Sequence, residues 1–235
     1  MKIISKKDQV NFRQDFAIVL AWPETMIPGA GSWYDKFLSN EGKYRAGHSA
    51  VILISYSMKK SSYFDFGRYQ TPIGFGRVRD IETDSELEVV SPKFSNKKII
   101  NINEILKSVY SIKSLHVKGK MYVSLVENIS FQLAYNYAKK IQAKGIVEYG
   151  PFTLNGTNCS RFVANVLKKS KISILKRLRL SFPFCISPSP KRNISISNQN
   201  YYVFDTNSCF YVKKNKLKAY FSSIESHESF SKNTW

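Results

Sequence analysis

The chain has 235 residues, which is enough for one domain with a full hydrophobic core, and two domains are less expected. Hydrophobic residues make up 43% of it and aromatic residues 14%, which excludes a disordered chain and favours a sheet-rich globular protein. The formal net charge is +19, from 36 basic and 17 acidic residues.

The positive charge is concentrated towards the C-terminus. Residues 160–235 contain 14 basic and 3 acidic residues, a net charge of +11, whereas residues 1–159 carry a net charge of +8. Such a field attracts nucleic acid, anionic membrane surfaces or acidic cell-envelope polymers. The alternative is a lysine-rich surface that contributes only to solubility, which would give the same net charge. No basic block exceeds two residues in a row, and no nucleic-acid motif is present.

The N-terminal segment contains an apolar run, FAIVLAW, of only seven residues behind a charged stretch. We interpret this run as a strand rather than a signal peptide. No apolar run approaches the ~18 residues of a membrane span, so we expect a cytoplasmic protein without one. Cys159, Cys185 and Cys209 are odd in number and lack metal-ligand spacing, which predicts free thiols and no metal or cofactor.

The first predicted elements are strands. A strand is expected at 15–22, followed by a Gly/Pro-punctuated segment with a helical turn capped by Ser32. The nearly continuous apolar run GHSAVILIS, residues 47–55, predicts a central strand. After a polar turn, YFDFGRY forms a hairpin with it, and GFGRVRDIE adds a third strand. The three would make an antiparallel meander.

Helices dominate the middle of the chain. NINEILKSVYSI predicts a helix capped by Asn101 or Asn103, and KMYVSLVE predicts a strand after it. The clearest helix is SFQLAYNYAKKIQAKG, between an N-cap at Ser130 and a glycine stop at Gly145. Its apolar stripe indicates packing against the core rather than a ligand surface.

The last third begins with NGTNCSRFVANVLKKS, which predicts an amphipathic helix that opens at Cys159 and packs one face on the sheet. The segment SFPFCISPSPKRNISISNQN, residues 181–200, predicts a long loop. YYVFDTNSCFYVKK predicts a hairpin that turns at 206–208, and the polar C-terminal residues are expected to fray.

Cys159 stands where a nucleophile would stand. A thiol attacks as the thiolate, and the free amides and dipole of a helix N-terminus lower its pKa. The same amides can stabilise an oxyanion. For the base, His116 in a polar loop and His227 in the tail are more typical of solvated residues. His48 instead opens the central strand directly behind Gly47.

Asp65 is the candidate for a third residue that holds the imidazole in one tautomer. It lies between aromatic residues on the next predicted strand, so the hairpin would bring it beside His48. The alternative is a surface carboxylate, or one paired with Arg68. Each residue is weak evidence alone, but together with Cys159 they supply a nucleophile, a base and an orienting group.

The order of these features resembles that of the circularly permuted papain-like proteins. It runs from a glycine–histidine pair on a strand, through an acid on the next strand, to NCSRFV at a helix start 111 residues after the histidine. That clan includes lecithin:retinol acyltransferase-like enzymes and permuted relatives of NlpC-type peptidases. The pattern also resembles a group of Bacteroidota proteins. The resemblance implies an α+β, permuted papain-like (NlpC-type) fold in which an antiparallel sheet packs on the helix that carries the cysteine. Residues 1–170 would form the catalytic domain, and residues 171–235 a basic C-terminal extension packed on it.

The resemblance also implies residue roles. Cys159 would be the nucleophile, His48 the base and Asp65 the orienting residue. Around them we expect three oxyanion or substrate contacts, and Tyr149 matches the aromatic residue of the lead-in EYGPFTLNGTNCS. These three are Tyr149, Asn158 and Ser160.

Two departures limit the chemistry. Asp65 stands where the acyltransferases have a second histidine, and Ser160–Arg161 replaces their acid–histidine pair, so retinoid or phospholipid chemistry is not implied. We expect a cysteine hydrolase of amidase or peptidase type acting on an amide or ester carbonyl, with peptide or isopeptide amides such as peptidoglycan stem peptides preferred. The alternatives are an acyltransferase, or an inactive module that binds nucleic acid or acidic glycan. The oligomeric state is not predicted.

Overall fold

The computed structural model describes residues 14–28, 43–44, 47–205 and 208–214. The predicted turn at Ser32, His227 and the C-terminal residues lie outside this part of the chain. Within it the helices are α1 Ile102–Tyr110, α2 Phe131–Gln142, α3 Cys159–Lys169, α4 Ile174–Arg179 and α5 Pro190–Ser197. The strands are β1 Asp15–Trp22, β2 Ile27–Pro28, β3 Lys43–Tyr44, β4 His48–Ser55, β5 Lys60–Gly67, β6 Phe75–Arg79, β7 Phe94–Ser95, β8 Lys98–Ile99, β9 Met121–Ile129, β10 Val147–Glu148, β11 Tyr201–Asp205 and β12 Ser208–Val212.

An eight-stranded sheet organises the molecule, in the order β10-β6-β5-β4-β1-β9-β11-β12. Every neighbouring pair in it is antiparallel. The long apolar strands β1 and β4 lie at its centre because both of their faces are covered. The predicted meander β4–β5–β6 is confirmed, and its register places Asp65 opposite Ala50 on one side and Arg79 on the other.

Helices cover both faces of this sheet. On one face, α2, α3 and α5 share a core with alternate residues of the central strands, such as Val51 and Leu53 of β4. On the other face, α1 packs on the remaining residues of the same strands, such as Ile52 and Ile54. The fold is therefore a mixed α/β arrangement. It confirms the expectation of an antiparallel sheet packed on the helix that carries the cysteine.

The long loop predicted for residues 181–200 is wrong in its second half, because α5 forms there. The hydroxyl of Ser189 accepts a hydrogen bond from the Arg192 amide at 3.2 Å, and Pro190 occupies the first turn, where its missing N–H costs nothing. Ile194 and Ile196 are buried in the core. Packing on β1 and β9 thus overrides the weak helix propensity of a Ser- and Asn-rich segment.

The described part of residues 171–235 packs on the rest of the chain. Strand β11 pairs with β9 on one side and with β12 on the other, and β12 lies at the edge of the sheet. Strands β11 and β12 are the two strands of the predicted hairpin. Among the described residues, none of the helices is long and apolar enough to cross a membrane.

Phe162 anchors α3 to the sheet, since its side chain is 1% exposed and tilts against Phe66 of β5. Phe162→Ala is expected to lower the free energy of unfolding by about 3–5 kcal/mol, because it removes buried area and leaves a cavity. Chemical denaturation measures the loss, and Met58→Ala, at an exposed residue, is the control and should change little. A loss for Phe162→Ala as small as the control would contradict this packing.

Candidate functional site

The N-terminus of α3 is fixed by the residue before the cysteine. Asn158 has an extended backbone, and its side-chain oxygen accepts a hydrogen bond from the Arg161 amide at 2.8 Å. Its amide nitrogen donates to the Ser187 hydroxyl at 2.7 Å. Asn158 is therefore a structural N-cap, and Cys159 occupies the first helical position, where backbone N–H groups are free of helical partners.

Arg161 holds the loop that leads to this helix. Its guanidinium donates to the carbonyl oxygens of Pro151, Gly150, Thr153 and Gly156, at 2.7 to 3.3 Å. The loop is thereby closed around one side chain of the cysteine helix, which fixes the entry of the chain into Cys159.

Gly47 sets the position of His48. It has a φ of +69°, which is accessible at low cost only to glycine, and its N–H donates to the Thr25 carbonyl at 3.0 Å. A Cβ atom here would lie 3.0 Å from backbone atoms of both Pro23 and Trp22. Trp22 is also the register partner of His48 and stacks on its ring at 5.9 Å. The imidazole is therefore held at the end of β4.

Gly47→Ala is expected to destabilise the fold and displace His48. A left-handed backbone costs about 1–2 kcal/mol for a residue with a Cβ, and the contacts with Pro23 and Trp22 add to it. Gly145→Ala is the matched control, since its φ is +71° with no atom within 4 Å of the added Cβ. Thermal denaturation should show a larger loss for Gly47→Ala. Equal losses would mean that the close backbone contacts do not matter.

Asp65 lies fully buried at the centre of a set of donors. Its Oδ2 atom is 3.2 Å from His48 Nε2, 3.1 Å from the Tyr63 hydroxyl and 3.0 Å from the Tyr69 hydroxyl. Arg79 binds both carboxylate oxygens, at 2.8 and 3.1 Å. The alternative of a surface carboxylate is wrong, and its basic partner is Arg79 rather than Arg68.

This network keeps the carboxylate ionised. Burial by itself would raise the pKa of Asp65, but hydrogen bonds from His48 and Arg79, with the charge of Arg79, hold that pKa well below its usual range. Burial and the nearby carboxylate raise the pKa values of Tyr63 and Tyr69, so both hydroxyls stay protonated and can donate.

His48 and Cys159 lie close enough together for each to shift the pKa of the other. Burial lowers the pKa of His48, but its hydrogen bonds with Asp65 and Cys159 outweigh burial and raise that pKa to about 9. Burial raises the pKa of Cys159, yet the hydrogen bond and charge of His48, with smaller contributions from Ser160 and the Ser49 backbone, lower it overall. Because Nε2 of His48 faces Asp65, Nδ1 is the nitrogen left for the thiol. This geometry favours a thiolate–imidazolium pair.

The three predicted contact residues take different places. The side chain of Asn158 caps the N-terminus of α3. Ser160 is buried in the first turn of α3, with its hydroxyl 3.8 Å from the Cys159 sulfur and its carbonyl bound by Asn193. Tyr149 stacks on Phe66 with ring centroids 5.9 Å apart. Their roles towards an oxyanion or substrate stay predictions.

A cleft of 350 Å³ opens beside the imidazole. His48, Tyr69 and Tyr149 line it, together with Arg68 and His116. His116 is exposed on its loop, as expected, but it faces this cleft. Cys159 itself is 4% exposed, and of the His48–Cys159 pair it is His48 that lines the cleft.

Four residues of the site were not predicted from the sequence. These are Ser49, Tyr63, Tyr69 and Arg79. Strand alternation was the available signal for Tyr63, which lies two residues from Asp65, and the meander register was the signal for Arg79. Nothing local marks Tyr69, whose ring centroid lies 3.2 Å from the Arg79 guanidinium carbon.

In the described part of the chain, no group of three or more His, Cys, Asp or Glu side chains could hold a metal ion. The three cysteines are free thiols there.

A family model described as type VI secretion system effector TseH-like matches residues 17–174, and both His48 and Cys159 lie inside the match. The chain belongs to this family. A crystal structure of the type VI secretion system effector TseH is also similar, with a TM-score of 0.56 at 18% sequence identity. The match covers 85% of this chain and 98% of that one. At this identity the TseH structure supports the fold alone. No curated protein matches the chain significantly.

Proposed function

We propose that this TseH-like chain is a cysteine hydrolase of the permuted papain-like (NlpC) type, with Cys159 as nucleophile, His48 as general base and acid, and Asp65 as the orienting carboxylate. The observation that carries the proposal is the hydrogen-bonded chain from Arg79 through Asp65 to His48, with the Cys159 thiol close enough to His48 for each to shift the pKa of the other. All four side chains are buried at one end of the sheet. A buried, fully bonded acid–base chain ending at a helix N-terminus is typical of a catalytic nucleophile.

In the proposed reaction, the Cys159 thiolate attacks the carbonyl carbon of an amide, and the carbonyl oxygen becomes an oxyanion. Backbone N–H groups at the start of α3 stabilise that charge. The His48 imidazolium donates its proton to the leaving amine as the C–N bond breaks, which leaves a thioester on Cys159. Neutral His48 then takes a proton from water, which attacks the thioester carbonyl; the C–S bond breaks, the carboxylic acid is released, and the Cys159 thiolate and the His48 imidazolium are restored.

Asp65 holds the imidazole throughout. Its ionised carboxylate accepts from His48 Nε2, so Nδ1 faces the thiol in both steps, and its charge stabilises the imidazolium. Asp65 need not take up a proton, because Arg79 and the two tyrosines hold it as an anion.

The proposed substrates are peptide or isopeptide amides, with peptidoglycan stem peptides as the first choice. Arg68 and His116 line the cleft, and its described lining contains no acidic side chain, which suits a substrate that carries carboxylates. Membership in an effector family supports transfer of the protein through a type VI secretion system, rather than residence in the cytoplasm.

The test is digestion of purified peptidoglycan by the full chain, with the products analysed by mass spectrometry. We expect soluble fragments that each gain one water across an amide bond. Products joined to an added amine instead of water would identify an acyltransferase. No cleaved amide in peptidoglycan or in a peptide library, with a folded protein and an unoxidised Cys159, would contradict the proposal.

A further inference from the structure

An exposed apolar strip follows α3, and none of its residues lines the cleft beside His48. It consists of six large hydrophobic residues within thirteen positions. They are 51 to 79% exposed: Ile174, Leu175, Leu178, Phe182, Phe184 and Ile186. So many large exposed hydrophobic residues in one short segment are unusual on a soluble surface and indicate a contact with another apolar phase.

The orientation of α4 shows that this exposure is built into the fold. The charged Lys176 turns inwards, is partly buried and donates its ammonium group to the Ser197 carbonyl. Ile174 and Leu178, one helical turn apart, turn outwards. In an ordinary surface helix the lysine would point to solvent and the apolar side chains would point to the core.

The segment after α4 is anchored by a buried side chain and by backbone hydrogen bonds. The Leu180 side chain is 2% exposed, and the Arg179 carbonyl accepts from Arg192 at 3.3 Å. The amides of Phe184 and Cys185 both donate to the Ser181 carbonyl. The outward side chains therefore sit on a backbone fixed by its own hydrogen bonds.

A cationic groove lies next to the strip. It has a volume of 560 Å³, and four basic side chains line it without any acidic side chain: Lys168, Lys169, Lys171 and Arg177. Burial, with the charges of Lys169, Arg161 and Arg177, lowers the pKa of Lys168. An anion in the groove would relieve this repulsion.

We propose that the apolar strip and the cationic groove form a docking surface for an anionic lipid bilayer. The hydrocarbon side chains would enter the boundary between headgroups and acyl chains, and the groove would receive lipid phosphates. A second copy of the chain does not fit as well, because each copy carries a net charge of +19.

The surface adjoins the proposed active site. Ser187, which follows the strip, accepts the hydrogen bond from Asn158, the residue before Cys159. Leu154, 98% exposed, stands on the loop that Arg161 holds against the same helix end. Binding to a bilayer would therefore bring the N-terminus of α3 near the headgroups.

The experiment is co-sedimentation of the full chain with vesicles of phosphatidylcholine alone, or mixed with phosphatidylglycerol. We expect binding only to the mixed vesicles, weakened by added salt. The variant Leu175→Ser/Phe184→Ser should lose at least about tenfold in partitioning, while Met58→Ser/Ile100→Ser, at comparably exposed residues elsewhere, should change it less than about twofold.

Two double charge-reversal variants complete the test. Lys169→Glu/Arg177→Glu should also lose at least about tenfold, and Lys107→Glu/Lys144→Glu, with the same change in net charge, should lose much less. Equal losses for both charge pairs, no binding to mixed vesicles, or dimerisation through the strip in solution would each overturn the proposal. Hydrolysis by Cys159 is measured separately on soluble peptides, so failure of one proposal leaves the other testable.

Discussion

Cys159→Ala is expected to reduce hydrolysis by at least about 10³-fold, because the other two described thiols, Cys185 and Cys209, have no described imidazole beside them to activate attack on the carbonyl. His48 would keep its bonds to Asp65, and binding of the substrate in the cleft should survive. The loss should therefore appear in kcat rather than in KM. Steady-state kinetics on a cleaved peptide measure it.

Cys185→Ser is the control for this variant. Its thiol lies 3.7 Å from the Arg179 carbonyl, far along the chain from the His48 network, and hydrolysis should stay within about twofold of the original. An active Cys159→Ala protein would remove the nucleophile from the mechanism.

Arg79→Met is expected to lower the free energy of unfolding by about 3–5 kcal/mol. The side chains of Arg79 and Asp65 are 2% and 0% exposed, so the variant leaves a buried carboxylate without its main counter-charge. The matched control is Arg77→Met, two residues away. Arg77 pairs with Asp84 and donates to the Tyr69 carbonyl where the side chains are partly exposed, so its loss should be clearly smaller than that of Arg79.

A double variant separates stability from catalysis. Asp65→Leu/Arg79→Met removes both buried charges and should recover much of the stability lost in Arg79→Met. It should not recover hydrolysis, since His48 then loses the carboxylate that holds Nε2 and stabilises the imidazolium. If Arg79→Met costs no more than Arg77→Met, the carboxylate is not held by this ion pair. If the double variant is active, Asp65 does not orient the base.

The sequence predicted the frame of the site because its strands are strongly apolar. The runs in β1 and β4 are buried on both faces, and the hairpin from β4 to β5 brings Asp65 beside His48. Arg79 was missed because adjacency along the chain pointed to Arg68, whereas the true partner depends on the pairing of β5 with β6.

Other features depend on contacts that local patterns do not encode. Helix α5 forms from a segment of poor helix formers because the sheet buries its apolar residues. Tyr69 lies beyond the end of β5, and only the fold brings its hydroxyl to Asp65 and within 3.3 Å of His48 Nε2. Asn158 was expected near the oxyanion, yet its side chain caps α3.

The most direct test of the account is the pH dependence of iodoacetamide alkylation at each cysteine, with the sites resolved by mass spectrometry. Cys159 should react with a midpoint below the ~8.5 of a free thiol, because the His48 imidazolium stabilises its thiolate up to about pH 9. Burial raises the pKa of Cys209, so its midpoint should be higher. In His48→Ala the Cys159 midpoint should rise as well, since burial would then be opposed only by the smaller contributions of Ser160 and the Ser49 backbone. A Cys159 midpoint at or above that of Cys209, unchanged in His48→Ala, would contradict the thiolate–imidazolium pair.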